Sequence, residues 1–100
     1  KVTPFDRNRA FFQLNDKWGI IDNTGKVIVA AQYDRIDEFD NNNIAEFTLN
    51  GKRGLVNING KVIASAQYDY IDYDYGDGRY EAAKGYSCDY VYTDGRVVRA

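Results

Sequence analysis

The sequence predicts an all-β protein built from tandem antiparallel three-stranded β-meanders with a period of 35 residues. Residues 17–37, KWGIIDNTGKVIVAAQYDRID, align without a gap on residues 52–72, KRGLVNINGKVIASAQYDYID, and 12 of the 21 positions are identical. Short runs rich in β-branched and aromatic residues recur in each copy and are bounded by turn residues. A chain of 100 residues forms one domain and can bury a core without disulfides. The chain is therefore predicted to be a single domain of repeated β units.

Partial copies of the same unit flank the two complete ones. Residues 87–100 fall on the first part of the unit after a further step of 35. Residues 2–15 overlay residues 36–50 if one residue is inserted after a shared Phe-Asp pair. The domain, residues 1–100, is thereby divided into a connection and three β units with about nine strands. The predicted bounds are 1–9 for the first connection and 10–31, 44–66 and 79–100 for the β units.

Two kinds of turn separate the strands of a unit. The first two strands are joined by a two-residue turn, for which Asn-Gly is the strongest short signal. The second and third strands are joined by a turn whose glycine supplies the left-handed conformation that closes the hairpin. The predicted two-residue turns are Asn15-Asp16, Asn50-Gly51 and Lys84-Gly85, and the predicted turn glycines are Gly25, Gly60 and Gly95.

Neighbouring apolar residues indicate how the units pack. Pairs such as Ile20-Ile21 and Leu55-Val56 point to opposite faces of a strand, whereas a strand with one wet face would alternate. The strands are therefore predicted to be covered on both faces, either by stacking in an open array or by closure of three units around a pseudo-threefold axis. The open array is favoured because the repeating pattern begins and ends in mid-repeat. Residues expected in the core include Trp18, Cys88 and Tyr90.

Composition argues against several classes of function. The net charge is −2 and the basic residues are scattered, so the basic patch of a nucleic-acid binder is missing. No apolar run approaches the ~20 residues that cross a bilayer, and no signal peptide is visible. With 15% aromatic residues the composition is that of an ordered, soluble domain. We expect neither nucleic-acid binding nor membrane insertion.

Catalysis and cofactor binding are also not expected. The chain has no His and one Cys, Cys88, so it lacks a His base, a Ser-His or Cys-His pair, an imidazole ligand and a paired-cysteine motif. Paired carboxylates could still serve a glycosidase, but the candidate acids lie in turns and connections, and two of the best recur at the repeat period. Recurrence favours a turn role, because an active site is needed once.

The motif KWGIID, followed by a Gly-Lys turn and the tripeptide QYD, resembles the WG repeat family, a bacterial family of β repeats. The resemblance implies a β-repeat architecture without assigned enzymatic activity, often exported or associated with the cell envelope. Departures are Arg53 for the Trp, Cys88-Asp89 for the Trp-Gly pair, and Asp74 for a Phe. The residues that carry the structural repeat motif are Trp18, Gly19, Gly25, Tyr33, Asp34, Gly54, Gly60, Tyr68, Asp69 and Gly95.

The most unusual segment is residues 68–78, YDYIDYDYGDG. Its Tyr-Asp pair and the following Ile-Asp pair recur one period earlier, which predicts a structural role for them: the Tyr and Ile pack between sheets, and the Asp accepts backbone N–H groups at a turn. The residues particular to this copy are Tyr70, Tyr73, Asp74, Tyr75, Gly76, Asp77 and Gly78. Any special function of the segment is expected in those residues.

Part of the same segment, DYDYGDG, is similar to the start of an EF-hand calcium loop, in which oxygens at alternate positions converge on the cation. Gly76 stands where a third carboxylate is needed, however, and Ala83 stands where the bidentate Glu belongs. No helical pattern flanks the loop. We therefore predict an acidic loop between strands and no metal site.

The predicted function is that of a non-catalytic scaffold that binds another protein or a cell-surface component, since repeat arrays present extended surfaces with variable loops. An alternative is carbohydrate binding, because Tyr offers an apolar face and a polar hydroxyl. A third possibility is a structural spacer, for which replacing the three connection tyrosines by Ser would remove no interaction. The candidate contact residues are Tyr70, Tyr73, Tyr75, Asp74 and Asp77.

Overall fold

The computed structural model describes residues 1–100 and confirms an all-β fold of antiparallel meanders, with eleven strands and no helix. The first sheet consists of β1 (Arg9–Leu14), β2 (Lys17–Asp22) and β3 (Val27–Tyr33). The second sheet consists of β4 (Arg35–Ile36), β5 (Ile44–Leu49), β6 (Lys52–Asn57) and β7 (Val62–Tyr68). The third sheet consists of β8 (Tyr70–Asp74), β9 (Arg79–Lys84), β10 (Ser87–Val91) and β11 (Val97–Arg99).

Two strands beyond the nine expected, β4 and β8, lie in the segments that were predicted to be connections. Residues 70–74 pair antiparallel with β9, so half of the Tyr-rich segment is sheet and not loop. Ile71 is buried and Tyr73 packs against the same core, which gives β8 the alternation of a strand with one covered face. The sequence reading missed it because the acidic residues between them suggested a turn.

The three sheets form an open array with extents of 40 × 26 × 17 Å and no closed barrel. The pseudo-threefold closure is therefore not adopted. Two separate cores alternate with the sheets, so only the second sheet is covered on both faces. The core between the first and second sheets contains Ile20, Val29, Tyr33, Phe39, Ala45, Phe47 and Val56. The core between the second and third sheets contains Ile44, Leu55, Ile63, Ala64, Tyr68, Ile71, Tyr80, Ala82 and Val91.

The turns follow the predicted chemistry with one shift. Asn15 and Asp16 have φ of 53° and 65°, and Asn50 and Gly51 have 53° and 79°, as a two-residue hairpin turn of type I′ requires. The third turn was placed one residue too early. Lys84 pairs with Ser87, so the loop is Gly85 and Tyr86, with a positive φ at the glycine alone. That pattern matches a type II′ turn, in which Gly occupies the first central position.

The Trp position of the motif is not fully buried in any copy. Trp18, Arg53 and Cys88 are all half-buried, which corrects the expectation of a core Trp and a buried Cys. Tyr90 is also half-buried, and the Arg79 guanidinium lies 3.7 Å from the centroid of its ring. The second sheet shows why a charge is tolerated at this position: Arg53 forms a 2.6 Å ion pair with Glu46 at the rim.

Glycine is required after the Trp position because two groups approach its Cα. A Cβ on Gly54 would lie 2.4 Å from the Phe47 ring and 2.5 Å from the carbonyl oxygen of Ala64. Gly19 is crowded in the same way by the Phe12 ring and the carbonyl oxygen of Val29. The close approach coincides with a register shift, or β-bulge, between β2 and β3 and between β6 and β7.

The third sheet replaces this arrangement with a buried polar pair. Asp89 stands at the glycine position and Ala82 at the position of the Phe, and β10 and β11 pair without a bulge. In the space that a Phe ring would fill, the hydroxyl of Tyr68 donates a 2.8 Å hydrogen bond to the Asp89 carboxylate. Both residues are buried, at 1% and 8% exposure. Ala82, Asp89 and Tyr68 therefore act as one packed group.

This hydrogen bond predicts a loss of stability at alkaline pH. Burial, and the hydrogen bond that the Tyr68 hydroxyl donates to the Asp89 carboxylate, raise the pKa of Tyr68 from 10.0 to about 12. Between pH 10 and 12 the unfolded chain therefore releases a proton that the folded chain retains, so the free energy of unfolding falls, by at most about 1.4 kcal/mol per pH unit for one tyrosine. Denaturant unfolding between pH 8 and pH 11.5 should show this fall, and Tyr68→Phe should reduce its slope. Equal slopes in the two proteins would contradict the assignment.

Candidate functional site

Two grooves lie side by side along one edge of the array, where the connections between sheets run. Groove 1 has a volume of about 410 Å³ and lies between the first connection and the segment around Phe39. Groove 2 has a volume of about 260 Å³ and lies between residues 37–46 and 71–80. Groove 1 is lined by Thr3, Pro4, Phe5, Asp6, Arg9, Phe11, Ile36, Glu38 and Phe39. Groove 2 is lined by Asp37, Glu38, Asp40, Ile44, Glu46, Leu55, Ile71, Asp72, Tyr73 and Tyr80.

The two grooves are copies of one another at the repeat period. Seven residues of groove 1 have their repeat equivalents in groove 2, once the one-residue gap in the first connection is allowed. The side chains nevertheless differ, since Arg9 becomes Ile44 and Phe11 becomes Glu46. The repeat therefore preserves a cleft between neighbouring connections while its lining changes.

Groove 2 combines an apolar floor with an acidic rim. Its lining includes five carboxylates and no basic side chain. Glu46 is paired with Arg53 at 2.6 Å and Asp37 with Arg35 at 2.9 Å. Glu38 and Asp72 take part in none of the ion pairs of the protein. Asp40 also forms no ion pair, but its carboxylate accepts hydrogen bonds within the protein, so Glu38 and Asp72 are the two carboxylates left to attract a cation from outside.

A contact between Asp40 and Tyr80 holds the two walls of groove 2 together. The Asp40 carboxylate accepts backbone N–H groups of Asn42 and Ile44 at 2.8 and 3.1 Å, which closes the turn before β5. It also accepts a hydrogen bond from the hydroxyl of Tyr80, a residue of the next sheet. Burial and this contact raise the pKa of Tyr80. The groove is thus fixed by a bond between residues 40 positions apart.

Three tyrosines form a cluster at the mouth of groove 2. The ring of Tyr73 lies 4.8 Å from the rings of both Tyr75 and Tyr80. Tyr75 meets Tyr73 edge to face, at 88°, and is 82% exposed. A smaller cavity of about 150 Å³ separates Tyr73 and Tyr75 from residues 40–42. Tyr75 is therefore the aromatic face that a ligand can reach.

The structure divides the five residues predicted for contact. It brings Tyr73 and Tyr75 together and leaves Tyr70 apart, because β8 turns Ile71 and Tyr73 to the core and Tyr70, 55% exposed, to the opposite face. The Asp74 carboxylate accepts the N–H groups of Gly76 and Asp77 at 3.0 and 3.3 Å, so it closes the turn.

Asp77 also has a structural contact, since its carboxylate lies 3.3 Å from the guanidinium of Arg79. The chain holds no group of three or more His, Cys, Asp or Glu side chains placed to bind a metal ion. It also contains no helix of the length and apolarity needed to cross a membrane.

Sequence reasoning missed most of the groove lining, because the residues come from two consecutive connections and not from one segment. The missed residues include Asp37, Glu38, Asp40, Glu46 and Tyr80. The signal that could have found them is the 35-residue period itself. In a stacked array, residues one period apart lie next to each other, so the two connections had to be considered as a facing pair.

The repeated Tyr-Asp pair is an anchor between units. Asp34 accepts the N–H of Asn50 at 2.8 Å, and Asp69 accepts the N–H of Gly85 at 2.9 Å, in each case at the hairpin turn of the following sheet. A lysine one turn earlier, Lys17 or Lys52, also contacts the carboxylate. The lysine hydrogen bond and then the backbone N–H hold the pKa of both Asp residues below the usual 3.8.

Comparison with known proteins identifies the repeat. The family model described as WG containing repeat matches the chain three times, over residues 1–18, 18–52 and 54–88. The three matches together cover most of the chain and follow the 35-residue period. No curated protein and no solved structure matches the chain.

Proposed function

The chain belongs to the WG containing repeat family, and on that premise we propose that it is a non-catalytic scaffold that binds another protein along the edge formed by its connections. The observation that carries the proposal is the recurrence of one groove at the repeat period with a different lining in each copy. A cleft that persists while its side chains change is typical of a recognition surface. A catalytic site needs one fixed set of groups, whereas here the two copies share few reactive side chains.

The chemistry of groove 2 favours a segment that carries Lys or Arg. The stem of such a side chain packs on apolar surface while its charged end reaches a carboxylate. Groove 2 offers Ile71 and Tyr73 as floor and the unpaired Glu38 and Asp72 as rim. Tyr75, beside the groove, adds an exposed ring over which a cation can stack. We therefore propose a basic, extended protein segment as the partner.

A peptide titration tests this proposal. The probe is a labelled flexible peptide of about ten residues containing Lys and Arg, and the readout is fluorescence anisotropy. We expect Glu38→Gln with Asp72→Asn to weaken binding about ten-fold, a loss of about 1.4 kcal/mol. Raising the salt concentration should also weaken binding, because the rim charges are exposed to screening.

The control variant is Asp16→Asn. Asp16 lies in a hairpin turn with φ of 65°, a conformation that Asn adopts readily, and its carboxylate makes no hydrogen bond. This variant removes one negative charge away from the groove. If it weakens binding as much as either groove substitution alone, the attraction is only the net charge of the protein and the proposal fails.

Carbohydrate binding is the second candidate, favoured by the 82% exposure of Tyr75 beside a cavity. A thermal-shift scan against oligosaccharides tests it, since a ligand at 100 times its Kd stabilises the fold by ~2.7 kcal/mol. A shift that disappears in Tyr75→Ser and persists in Tyr86→Ser, in which the fully exposed turn tyrosine is replaced, would support a sugar site. Binding of neither peptide nor sugar would favour the spacer role.

A further inference from the structure

Arg79, on the outer face of the third sheet, holds the one buried side-chain nitrogen or oxygen that lacks a hydrogen-bond partner, its Nε. Its guanidinium is fixed over the Tyr90 ring at 3.7 Å, and a terminal nitrogen lies 3.3 Å from Asp77. The residue two periods earlier is Arg9, on the face of the first sheet that meets the second. The Arg9 Nε donates a 2.8 Å hydrogen bond to the carbonyl of Ile58, in a turn of the following sheet. Arg79 is thus the repeat equivalent of Arg9, a donor whose acceptor lies in the following sheet.

At the opposite end of the array, apolar residues lack the neighbouring sheet that covers their repeat equivalents. Phe5 is 51% exposed, whereas its repeat equivalent Phe39 is 8% exposed and stacks on Phe11 of the preceding sheet. Leu14 is 59% exposed, whereas its equivalent Leu49 packs against the core beneath the first sheet. The outer side of the first unit therefore exposes two apolar residues, Phe5 in its connection and Leu14 in β1, whose equivalents in the second unit are covered by a neighbouring sheet.

The turn glycines give a third, independent comparison. A Cβ on Gly60 would lie 2.9 Å from the carbonyl oxygen of Ile28, and one on Gly95 would lie 3.8 Å from that of Ile63, each in the preceding sheet. Gly25, the first copy, has nothing within 4 Å. The residue that follows Ile28 and Ile63 at the same period is Val98, which is 45% exposed. Inside the array, each turn glycine contacts the third strand of the preceding sheet. The turn of Gly25 at one end and the strand around Val98 at the other are the two partners of such a contact that have no counterpart.

We propose that the chain associates head to tail with a second copy of itself, the outer face of β8–β11 of one copy covering the outer face of β1–β3 of the next. The 35-residue period then continues across the junction. Val98 packs beside the turn of Gly25, and Arg79 lies opposite Asn23, which is the repeat equivalent of Ile58. The exposed Leu14 and Phe5 are covered in the same step.

Size and symmetry determine what such association looks like. The end of the array measures about 26 × 17 Å, which is less area than the ~800 Å² per partner of a standard stable complex. Association is therefore expected to be weak and dependent on concentration. A head-to-tail contact uses two different faces, so it does not close at a dimer, and larger species form as concentration rises.

Sedimentation equilibrium from about 10 µM to 1 mM, a range that brackets weak interfaces, tests the proposal. For the unmodified chain we expect an average mass that rises with concentration and passes that of a dimer. Leu14→Lys blocks one face and Val98→Lys the other, and both positions are exposed in the monomer, so each variant should fold and remain monomeric. A mixture of the two variants retains one intact pair of faces and should therefore form a heterodimer and nothing larger.

Val62→Lys is the matched control, since Val62 is 46% exposed on the second sheet and belongs to neither end face. It should leave association unchanged, and circular dichroism melts should show that all three variants are folded. A constant monomer mass up to 1 mM would overturn the proposal. So would association that survives Val98→Lys while Leu14→Lys abolishes it, because that result indicates two first sheets meeting face to face.

Discussion

Gly54→Ala is expected to lower the free energy of unfolding by about 3 kcal/mol, the upper end of the range for overpacked cores. The new methyl would lie 2.4 Å from the Phe47 ring and 2.5 Å from the carbonyl oxygen of Ala64. One of these neighbours is backbone, so the strand β7 must move away from β6 at the bulge. Both cores adjoin this sheet, which leaves little freedom for that movement.

Chemical denaturation at neutral pH measures the effect, and the loss corresponds to a fall in Tm of more than about 10 °C for a domain of this size. Gly76→Ala is the matched control. Its φ is not positive and its Cβ would meet only the Asp74 carboxylate, at 3.3 Å. We expect a change within about 0.5 kcal/mol, as at an ordinary surface position. Equal effects of the two substitutions would show that the close approach at Gly54 is not required.

A double substitution separates the ring from the backbone. Phe47→Ala alone removes a large buried side chain and should cost about 3–5 kcal/mol. Combined with Gly54→Ala it also removes the ring that the new methyl meets. The two effects should therefore sum to more than the double variant loses, by at least about 1 kcal/mol. Additive losses would place the whole strain on the carbonyl of Ala64.

The sequence predicted the repeating parts of this fold well. Gly25, Gly60 and Gly95 share a left-handed φ, and Tyr33 and Tyr68 are both buried between sheets. Such features follow from local turn chemistry and from burial that recurs every 35 residues, both of which leave a pattern in one dimension. The apolar pairs predicted cover on both faces of the strands, and the structure provides it for the second sheet alone.

What the sequence did not predict lies between units. The Asp40 and Tyr80 contact, the groove and the unpaired Arg79 Nε depend on which residues of successive sheets face each other. The strand β8 was also missed, because the pairing of Tyr73 with Tyr80 is decided by the neighbouring strand and not by acidic residues nearby. These features belong to the stacking of the sheets, for which the period gives only the spacing.

Departures from the repeat gave a sequence signal that was used only in part. Asp89 for Gly was noted as a departure of the third unit, whereas Ala82 for Phe was not. In the structure they are one exchange, since removing the ring provides the space in which the Tyr68 hydroxyl reaches the carboxylate. The first and second units keep the ring and the glycine together. Paired departures within a repeat therefore indicate residues in contact.

Tyr68→Phe is expected to cost about 1–3 kcal/mol, whereas the same change at the equivalent Tyr33 should be nearly neutral. Removing the Tyr68 hydroxyl leaves the buried Asp89 carboxylate with only the exposed Arg99, 3.5 Å away, and a buried acceptor without its donor carries the full desolvation penalty. Tyr33 packs its ring 4.1 Å from that of Phe47, and its hydroxyl is not among the buried atoms that need a partner.

Denaturant unfolding of the two variants at neutral pH makes the comparison, because both lose one oxygen from the same site of successive units. Asp89→Ala in the Tyr68→Phe background provides the second test. With donor and acceptor both gone, no polar group remains unpaired, so the double variant should be no less stable than Tyr68→Phe alone. If Tyr33→Phe and Tyr68→Phe lower the free energy of unfolding equally, the ring of Tyr68 and not its hydroxyl stabilises the third unit. The hydrogen bond to Asp89 would then not explain why Ala and Asp replace Phe and Gly in that unit.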